Sequence, residues 1–362
     1  MSIDITFKKY VQYHDLVGDH MGIKLKDEVE PVRHVIGMND LKGQKIGVDT
    51  FNYLYASLYA TKTSDGRPLE FEGKVTSHIG FFFFKTMQLF ELGIKPVYIF
   101  DGKKSIFKHD TMMERKQSRD QTRQTAEEAK QRGDIELYNR LMTSSQSVEP
   151  YMIDDLKHLF TLFGIPWIQA AGEGEAQGSY MCAKGDLYGI ASQDYDCLLF
   201  GAKIFLRNIF RAKTSKVYGK DIINEKEKIV LSEFLEHLGF TQQQLIDMAI
   251  LIGTDFNPGV MKVGTKTAAK YIRTYGTIEK TMDNVKKVRD ELKIEDVNQV
   301  RDIFLKPRVT DEYNLRFSMP KFDEIVAAMS DQFGFAKNMI KPKMIQLERD
   351  IKLRMSSMVA RL

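Results

Sequence analysis

A chain of 362 residues can bury a full hydrophobic core and form one large or two ordinary domains. Its 43% hydrophobic and 28% charged residues are those of a soluble globular protein, with no apolar run able to span a membrane and no secretory signal. A net charge of +4 does not identify a nucleic-acid binder, and Cys182 and Cys197 make neither a disulfide framework nor a zinc site, which fits a reducing intracellular compartment.

Residues 1–20 are polar and without clear periodicity, and Met21-Gly22-Ile23 reads as a second beginning. Lys45-Ile46-Gly47-Val48-Asp49 predicts a strand ending in an acid, followed by a buried helix over 52–58 and a turn at 64–68. Residues 76–92 predict a helix that places Phe81, Phe82, Phe83 and Phe84 in the core. Val97-Tyr98-Ile99-Phe100-Asp101 is a second strand ending in an acid. Residues 102–150 are polar, with helical spacing and little apolar face, as in an element that moves over a site or is partly disordered. A helix over 152–163 stops at Gly164, and a third strand covers 165–169. Gly172-Glu173-Gly174-Glu175-Ala176 opens a helix to residue 184, and an apolar run over 187–192 leads into Gln193-Asp194-Tyr195-Asp196. Residues 204–206 and 229–231 are further strand candidates, 245–253 is an apolar helix ending in Thr254-Asp255, and the remainder reads as helical. Strand and helix in alternation predict an α/β fold with a mostly parallel central sheet flanked by helices.

Charge is unevenly spread. Residues 102–132 hold nine Lys/Arg against five Asp/Glu, and 257–293 hold nine against four. Such stretches are either a grip on phosphates at the molecular edge or charged helices facing water.

In an extended segment, residues two apart point to the same side, so Asp194 and Asp196 aim two carboxylates at one point. A lone Asp-x-Asp is most often a solvated loop, and a lone strand-terminal Asp a helix cap. Here seven acids in five segments occupy equivalent places: Asp49, Asp101, Glu173, Glu175, Asp194, Asp196 and Asp255. Ligands of open α/β sheets bind beyond the carboxyl ends of the strands. Neighbouring strands lie about 4.8 Å apart, so such acids can share two cations roughly 3.5–4 Å apart, the arrangement of two-metal phosphoryl chemistry. Oxygen ligands without His or Cys select Mg2+ or Mn2+ over zinc. The seven histidines are scattered and no Ser-His-Asp or Cys-His arrangement stands out.

These motifs, with Gly93-Ile94-Lys95-Pro96 before the second strand and Gly253-Thr254-Asp255-Phe256 after the apolar helix, resemble the structure-specific 5′ nucleases. Within them, the chain is similar to the archaeal and eukaryotic flap endonucleases over about residues 21–340. The resemblance implies a 5′ nuclease, PIN-like fold with a helical arch and a C-terminal helical region containing a helix–two-turn–helix. It implies two Mg2+ ions, replaceable by Mn2+: Asp49, Asp101, Glu173 and Glu175 at the first, Asp194, Asp196 and Asp255 at the second. Lys108 and Arg115 match the family's catalytic basic pair on the arch, which steers the scissile phosphate; a solvated basic helix is the alternative. For DNA binding, Tyr55 matches a stacking tyrosine, Lys62 and Lys85 stand where the family has arginines, and Gly253, with Glu173 and Asp255, lies close to DNA. Residues 255–275 resemble the helix–two-turn–helix, but Lys262-Val263-Gly264-Thr265-Lys266 replaces the usual Gly-x-Gly-Pro-Lys. Gly264 and Lys266 remain to bind backbone phosphate, and K+ at this turn is implied as well.

The same resemblance divides the chain. Residues 1–20 are an extension or a mis-called start, 21–125 an N-terminal nuclease region with most of the arch, and 126–255 an internal nuclease region. Residues 256–340 hold the helix–two-turn–helix and DNA-binding helices, and 341–362 a tail without the family's sliding-clamp motif. The implied activity is 5′ flap endonuclease, with 5′–3′ exonuclease activity, in Okazaki-fragment maturation and base excision repair. A 5′ exonuclease or bubble-cutting repair nuclease is the alternative within the family; a non-catalytic DNA-junction-binding module and a metal-dependent RNase belong to other classes. Expected partners are branched DNA with a 5′ flap and a sliding clamp, for a monomer with no membrane contact, intracellular, in cytoplasm or nucleoid if archaeal.

Overall fold

The computed structural model describes residues 23–63, 67–102, 109–212, 214–217 and 220–359. The extension over 1–20 therefore lies outside the described residues. In chain order the strands are β1 His34–Ile36, β2 Lys45–Asp49, β3 Glu70–Phe71, β4 Lys74–Val75, β5 Lys95–Phe100, β6 Trp167–Gln169, β7 Gly189–Ala191, β8 Ile204–Arg207, β9 Thr214–Val217, β10 Lys220–Ile223 and β11 Lys226–Val230. Seven of them form one sheet in the order β1-β11-β8-β7-β2-β5-β6. The run from β8 to β6 is parallel, and β11 and β1 close one edge antiparallel.

The chain lays β2, β5 and β6 side by side, then returns to place β7 and β8 on the other side of β2. Connections therefore leave the ends of β2 and β7 in opposite directions, which opens a crevice there. Register puts Val48 beside Ala191 and Asp49 beside Ile99, so Asp49 lies at the rim of that crevice.

Side chains alternate between two cores, as the pleat requires. Val97, Ile99, Ile190 and Phe205 face one; Tyr98, Phe100, Ala191 and Leu206 face the other. The second core is covered by α1 Thr50–Ala60, α2 Ser77–Glu91 and, after the helices α3 His109–Gln131 and α4 Ile135–Ser144, by α5 Pro150–Leu162. It is rich in aromatic rings. Tyr98 stacks on Phe160 with centroids 3.7 Å apart, and Phe82 and Phe83 are fully buried, while Phe81 and Phe84 are partly so. The first core is covered by α6 Gly174–Lys184, the one-turn α7 Asp196–Leu199, α8 Leu231–Leu238 and α9 Gln242–Ile252. Small residues let α6 sit low: a Cβ on Gly178 would lie 2.3 Å from Ile190 Cδ1.

Helices α3 and α4 pack together as a hairpin turned at Gly133, with Ala126 and Ala129 buried between them. Within the stretch over 102–150, residues 109–131 and 135–144 are thus helical. No helix among the described residues is long and apolar enough to cross a membrane.

Two expectations are corrected, and one element is added. Leu231 opens α8 instead of ending a strand, because an apolar run alone does not fix where extended backbone gives way to helix. In addition, β9 and β10 pair antiparallel, Thr214 opposite Ile223, which the sequence reading left out. Residues 306–321 are not helical; they form an extended strap. Distant groups hold it: Gln177 exchanges two hydrogen bonds of 2.8 Å with the Thr310 backbone, Lys184 pairs with Asp311 at 2.7 Å, and Ser318 N donates to Gly164 O at 2.9 Å.

Beyond α9 come α10 Thr265–Tyr275, α11 Ile278–Asn284, α12 Lys286–Glu291 and α13 Ile294–Leu305, and beyond the strap α14 Phe322–Ala327 and α15 Lys337–Val359. Arg301 of α13 ties this region to α9. Its guanidinium meets buried Asp247 at 2.8 Å and Glu279 at 2.8 Å, and Ile278 N also donates to Asp247. Burial pushes the Asp247 carboxyl up, and Arg301 opposes that shift. Arg301→Met leaves the carboxyl buried without its cation and should cost about 3 kcal/mol, read from the urea midpoint. The double variant Asp247→Asn/Arg301→Met should recover part of it.

Candidate metal centre and nucleic-acid interface

Asp49 closes β2 and caps α1, its Oδ1 accepting from Asn52 N at 3.2 Å. The cap uses only one oxygen of the carboxylate, and Oδ2 accepts from Ser192 Oγ at 2.9 Å. Ser192 follows β7 and lies also 3.0 Å from Glu175 Oε1 on α6. Its hydroxyl oxygen accepts from Asp194 N at 3.2 Å, and Asp194 Oδ1 accepts from Asp196 N at 3.0 Å. Ser192 thus joins three acid-bearing segments. Sequence reading placed it in a motif but gave it no role; its position two residues before Asp194, at a strand end, was the available signal.

Glu175, Asp194 and Asp196 bring carboxylate oxygens within 4.8 Å of one another. Asp49, Asp194 and Asp196 are buried and Glu175 is half-buried. The field of this cluster registers at Cys197: burial pushes its thiol up, and Glu175, Asp49, Asp194 and Asp196 push it further. Three carboxylates this close, with Asp49 joined to them through Ser192, concentrate negative charge that a cation would offset. An oxygen-only donor set with buried charge fits a hard divalent ion. The backbone contributes too, since Ile23 N donates to Asp196 Oδ1 at 3.1 Å.

Asp101 follows β5, and its Oδ1 accepts from Gly174 N at 2.8 Å in the first turn of α6, where the helix dipole favours negative charge. A Cβ at Gly174 would lie 2.8 Å from that oxygen, so glycine permits the approach. Glu173 is the N-cap residue of α6, which sets it beside Asp101. Asp255 is half-buried in the turn after α9, where Thr254 N donates to Asn257 O at 2.9 Å; the cluster of mutually close carboxylates does not include it.

Of the basic pair, Lys108 lies outside the described residues, and Arg115 lies in α3 with its side chain outside them. Tyr55 is half-buried on α1. Two positions earlier Tyr53 is buried, its OH accepting from Gln193 Nε2 at 3.4 Å and its ring 4.5 Å from Phe210. Lys62 and Lys85 are half-buried, and burial lowers both. Lys85 is brought down to about 8, with Lys226 adding to the effect.

Gly253 takes φ +109°, and a Cβ there would lie 2.8 Å from Pro258 O. Gly264 is the exposed, extended N-cap of α10, and Lys266 is exposed in its first turn. Lys262 takes φ +61°, the left-handed region a glycine adopts more readily, which accounts for glycine being usual there.

Residues 21–122 match the XPG N-terminal domain and residues 164–255 the XPG I-region. Flap endonuclease 1 of Methanobrevibacter smithii is 38% identical over 321 residues, 88% of this chain and 94% of that protein. Flap endonuclease 1 of Pyrococcus furiosus is 38% identical over 336 residues, 92% of this chain and 96% of that protein. Among solved structures, flap endonuclease-1 from Methanococcus jannaschii superposes with a TM-score of 0.70 at 31% identity, covering 92% of this chain and 100% of that one. The catalytic core of Rad2 in complex with DNA substrate, at 24% identity and a TM-score of 0.68 over 90% of this chain and 99% of its own, shares the fold.

Ser192→Ala removes the hydroxyl between Asp49 and Glu175. Divalent-ion affinity by calorimetry should fall about 10- to 100-fold, the usual effect of losing a group that orients ligands. Lys85 should make duplex binding pH-dependent. Its ammonium is present below about pH 8 and lost above it, so affinity should hold below that pH and fall several-fold over the next unit. Lys85→Arg should flatten the profile, since guanidinium stays charged.

Proposed function

The chain belongs to the flap endonuclease family of structure-specific 5′ nucleases, and on that premise we propose that it hydrolyses a DNA phosphodiester near the junction of a 5′ flap with its duplex. The observation that carries this reading is the convergence of Asp49, Glu175, Asp194 and Asp196 around Ser192 at the switch point of the sheet. Two Mg2+ ions, for which Mn2+ substitutes, would be held there and supply Lewis-acid stabilisation of charge on phosphoryl oxygens and a more acidic water. Asp49, Asp101, Glu173 and Glu175 would hold one ion, and Asp194, Asp196 and Asp255 the other. Ser192 and the Ile23 amide fix the carboxylates in place, so little reorganisation is needed when the phosphate arrives.

The remaining residues position DNA. Lys108 and Arg115 on the arch steer the scissile phosphate, with guanidinium suited to a forked phosphate contact. Tyr55 offers a ring to a base near the cut, which tolerates any base. Lys62, Lys85, Gly253, Gly264 and Lys266 hold backbone phosphates, and contacts of that kind position without reading sequence. The turn over 262–266 would hold a K+ ion, which would supply positive charge to the same grip. Removal of displaced 5′ strands in replication and excision repair, inside the cell, is the role that follows. A sliding clamp is the partner, and the chain acts as a monomer.

The test is cleavage of 5′-labelled double-flap DNA in Mg2+. A single labelled product is expected, absent in chelator. Asp196→Ala should lower the rate by more than about 100-fold while binding persists, as loss of transition-state stabilisation without loss of grip. A ladder of mononucleotides from flapless duplex would instead indicate an exonuclease, and binding without cleavage a non-catalytic module.

A further inference from the structure

The chain has one tryptophan, Trp167, at the start of the edge strand β6, and it is 36% exposed. Its ring is fixed. Indole Nε1 donates to Thr161 Oγ1 at 3.1 Å, and the ring meets Phe100 edge-on with centroids 6.2 Å apart. The Lys157 ammonium lies 4.9 Å from the Trp167 centroid and 5.3 Å from that of Phe100.

This corner is wired to the acidic site. Lys157 Nζ donates to Gln169 Oε1 at 2.8 Å, and Gln169 Nε2 donates to the backbone carbonyl of Asp101. Trp167 and Gln169 are two apart on β6 and share one face of the sheet, about 7 Å apart along the strand. The ammonium beside the indole is thus joined through Gln169 to the backbone of Asp101, a metal-ligand candidate. A tryptophan whose N–H is satisfied internally, and which stays 36% exposed with the Lys157 ammonium over its ring, has the form of a contact residue.

The chemistry selects the occupant. Duplex DNA keeps its bases stacked inside and offers no free base face, whereas a displaced strand has unstacked bases beside phosphates. Indole accepts the first and ammonium the second, without regard to sequence. We propose that Trp167 and Lys157 form a stacking platform for a base of the single-stranded 5′ flap beside the active site. The proposal rests on the flap-cleavage reading and extends it to the path of the flap.

Because the chain has one tryptophan, its emission reports the platform directly. The full chain carrying Asp196→Ala, which spares the DNA, is titrated with flapless nicked duplex and with the same duplex bearing 5′ flaps of increasing length. Flapped DNA should quench Trp167, and flapless DNA should leave it unchanged. Trp167→Ala should weaken binding of flapped DNA about five-fold or more and leave flapless DNA unaffected. Trp167→Tyr, which keeps a ring, should retain most of the affinity and serves if the alanine variant fails to fold. Lys157→Met should cause a smaller loss that vanishes at high salt. Equal emission with both DNAs, or equal weakening of both, overturns the platform. Cleavage of flapped DNA by the unsubstituted chain is scored in parallel, so failure of the flap reading is seen separately.

Discussion

Like-charge repulsion at the end of β2 and β7 is the constraint on which this structure turns. Asp49, Asp194 and Asp196 are buried beside Glu175, and each is costly there without a compensating positive charge. The fold accepts the cost because the surrounding elements are rigid. Parallel pairing of β2 with β5 and β7 fixes Asp49, α6 fixes Glu175, and the short chain between β7 and α7 fixes Asp194 and Asp196. A chain that returns to β7 after building β5 and β6 brings these segments to one crevice. The cluster concentrates negative charge at one point, and a divalent cation held there would offset it.

Around this centre, neutral donors orient and cations attract. Ser192, the Ile23 amide and the Gly174 amide each meet a carboxylate and bring no charge that would compete with an ion. Cations stand further out. Lys85 and Lys62 are half-buried, and Lys266 is exposed at the start of α10. Burial lowers the pKa of Lys62 and Lys85, so an anion contact made by either would depend on pH in a way that arginine's would not. The strap over 306–321 couples the two cores, running from Gln177 on α6 to Gly164 after α5.

Most of this architecture is written in local pattern. Strands ending in Asp49 and Asp101 are legible as apolar runs closed by an acid, and α2 and α5 show helical spacing ended by chain-turning glycines. Asp194 and Asp196 are legible through their spacing of two. What escapes sequence reading is held by distant partners. The strap has no periodicity because its bonds go to Gln177, Lys184 and Gly164, far away in sequence. Strands β9 and β10 pair only with each other among the described residues. Ser192 looks ordinary until β2 and α6 bring Asp49 and Glu175 to its hydroxyl. Tyr53 and Tyr55 cannot be told apart by type; the face of α1 buries the first and leaves the second half-open.

The central claim is that the clustered carboxylates hold divalent cations, and chemical unfolding with and without Mg2+ measures that directly. Asp194→Asn keeps the shape and the carbonyl oxygen that accepts from Asp196 N while removing one charge. In chelator the variant should be more stable than the unsubstituted chain. In saturating Mg2+ the order should reverse, because ion binding stabilises the native state in proportion to affinity. Stability that responds neither to Mg2+ nor to the substitution would contradict the account.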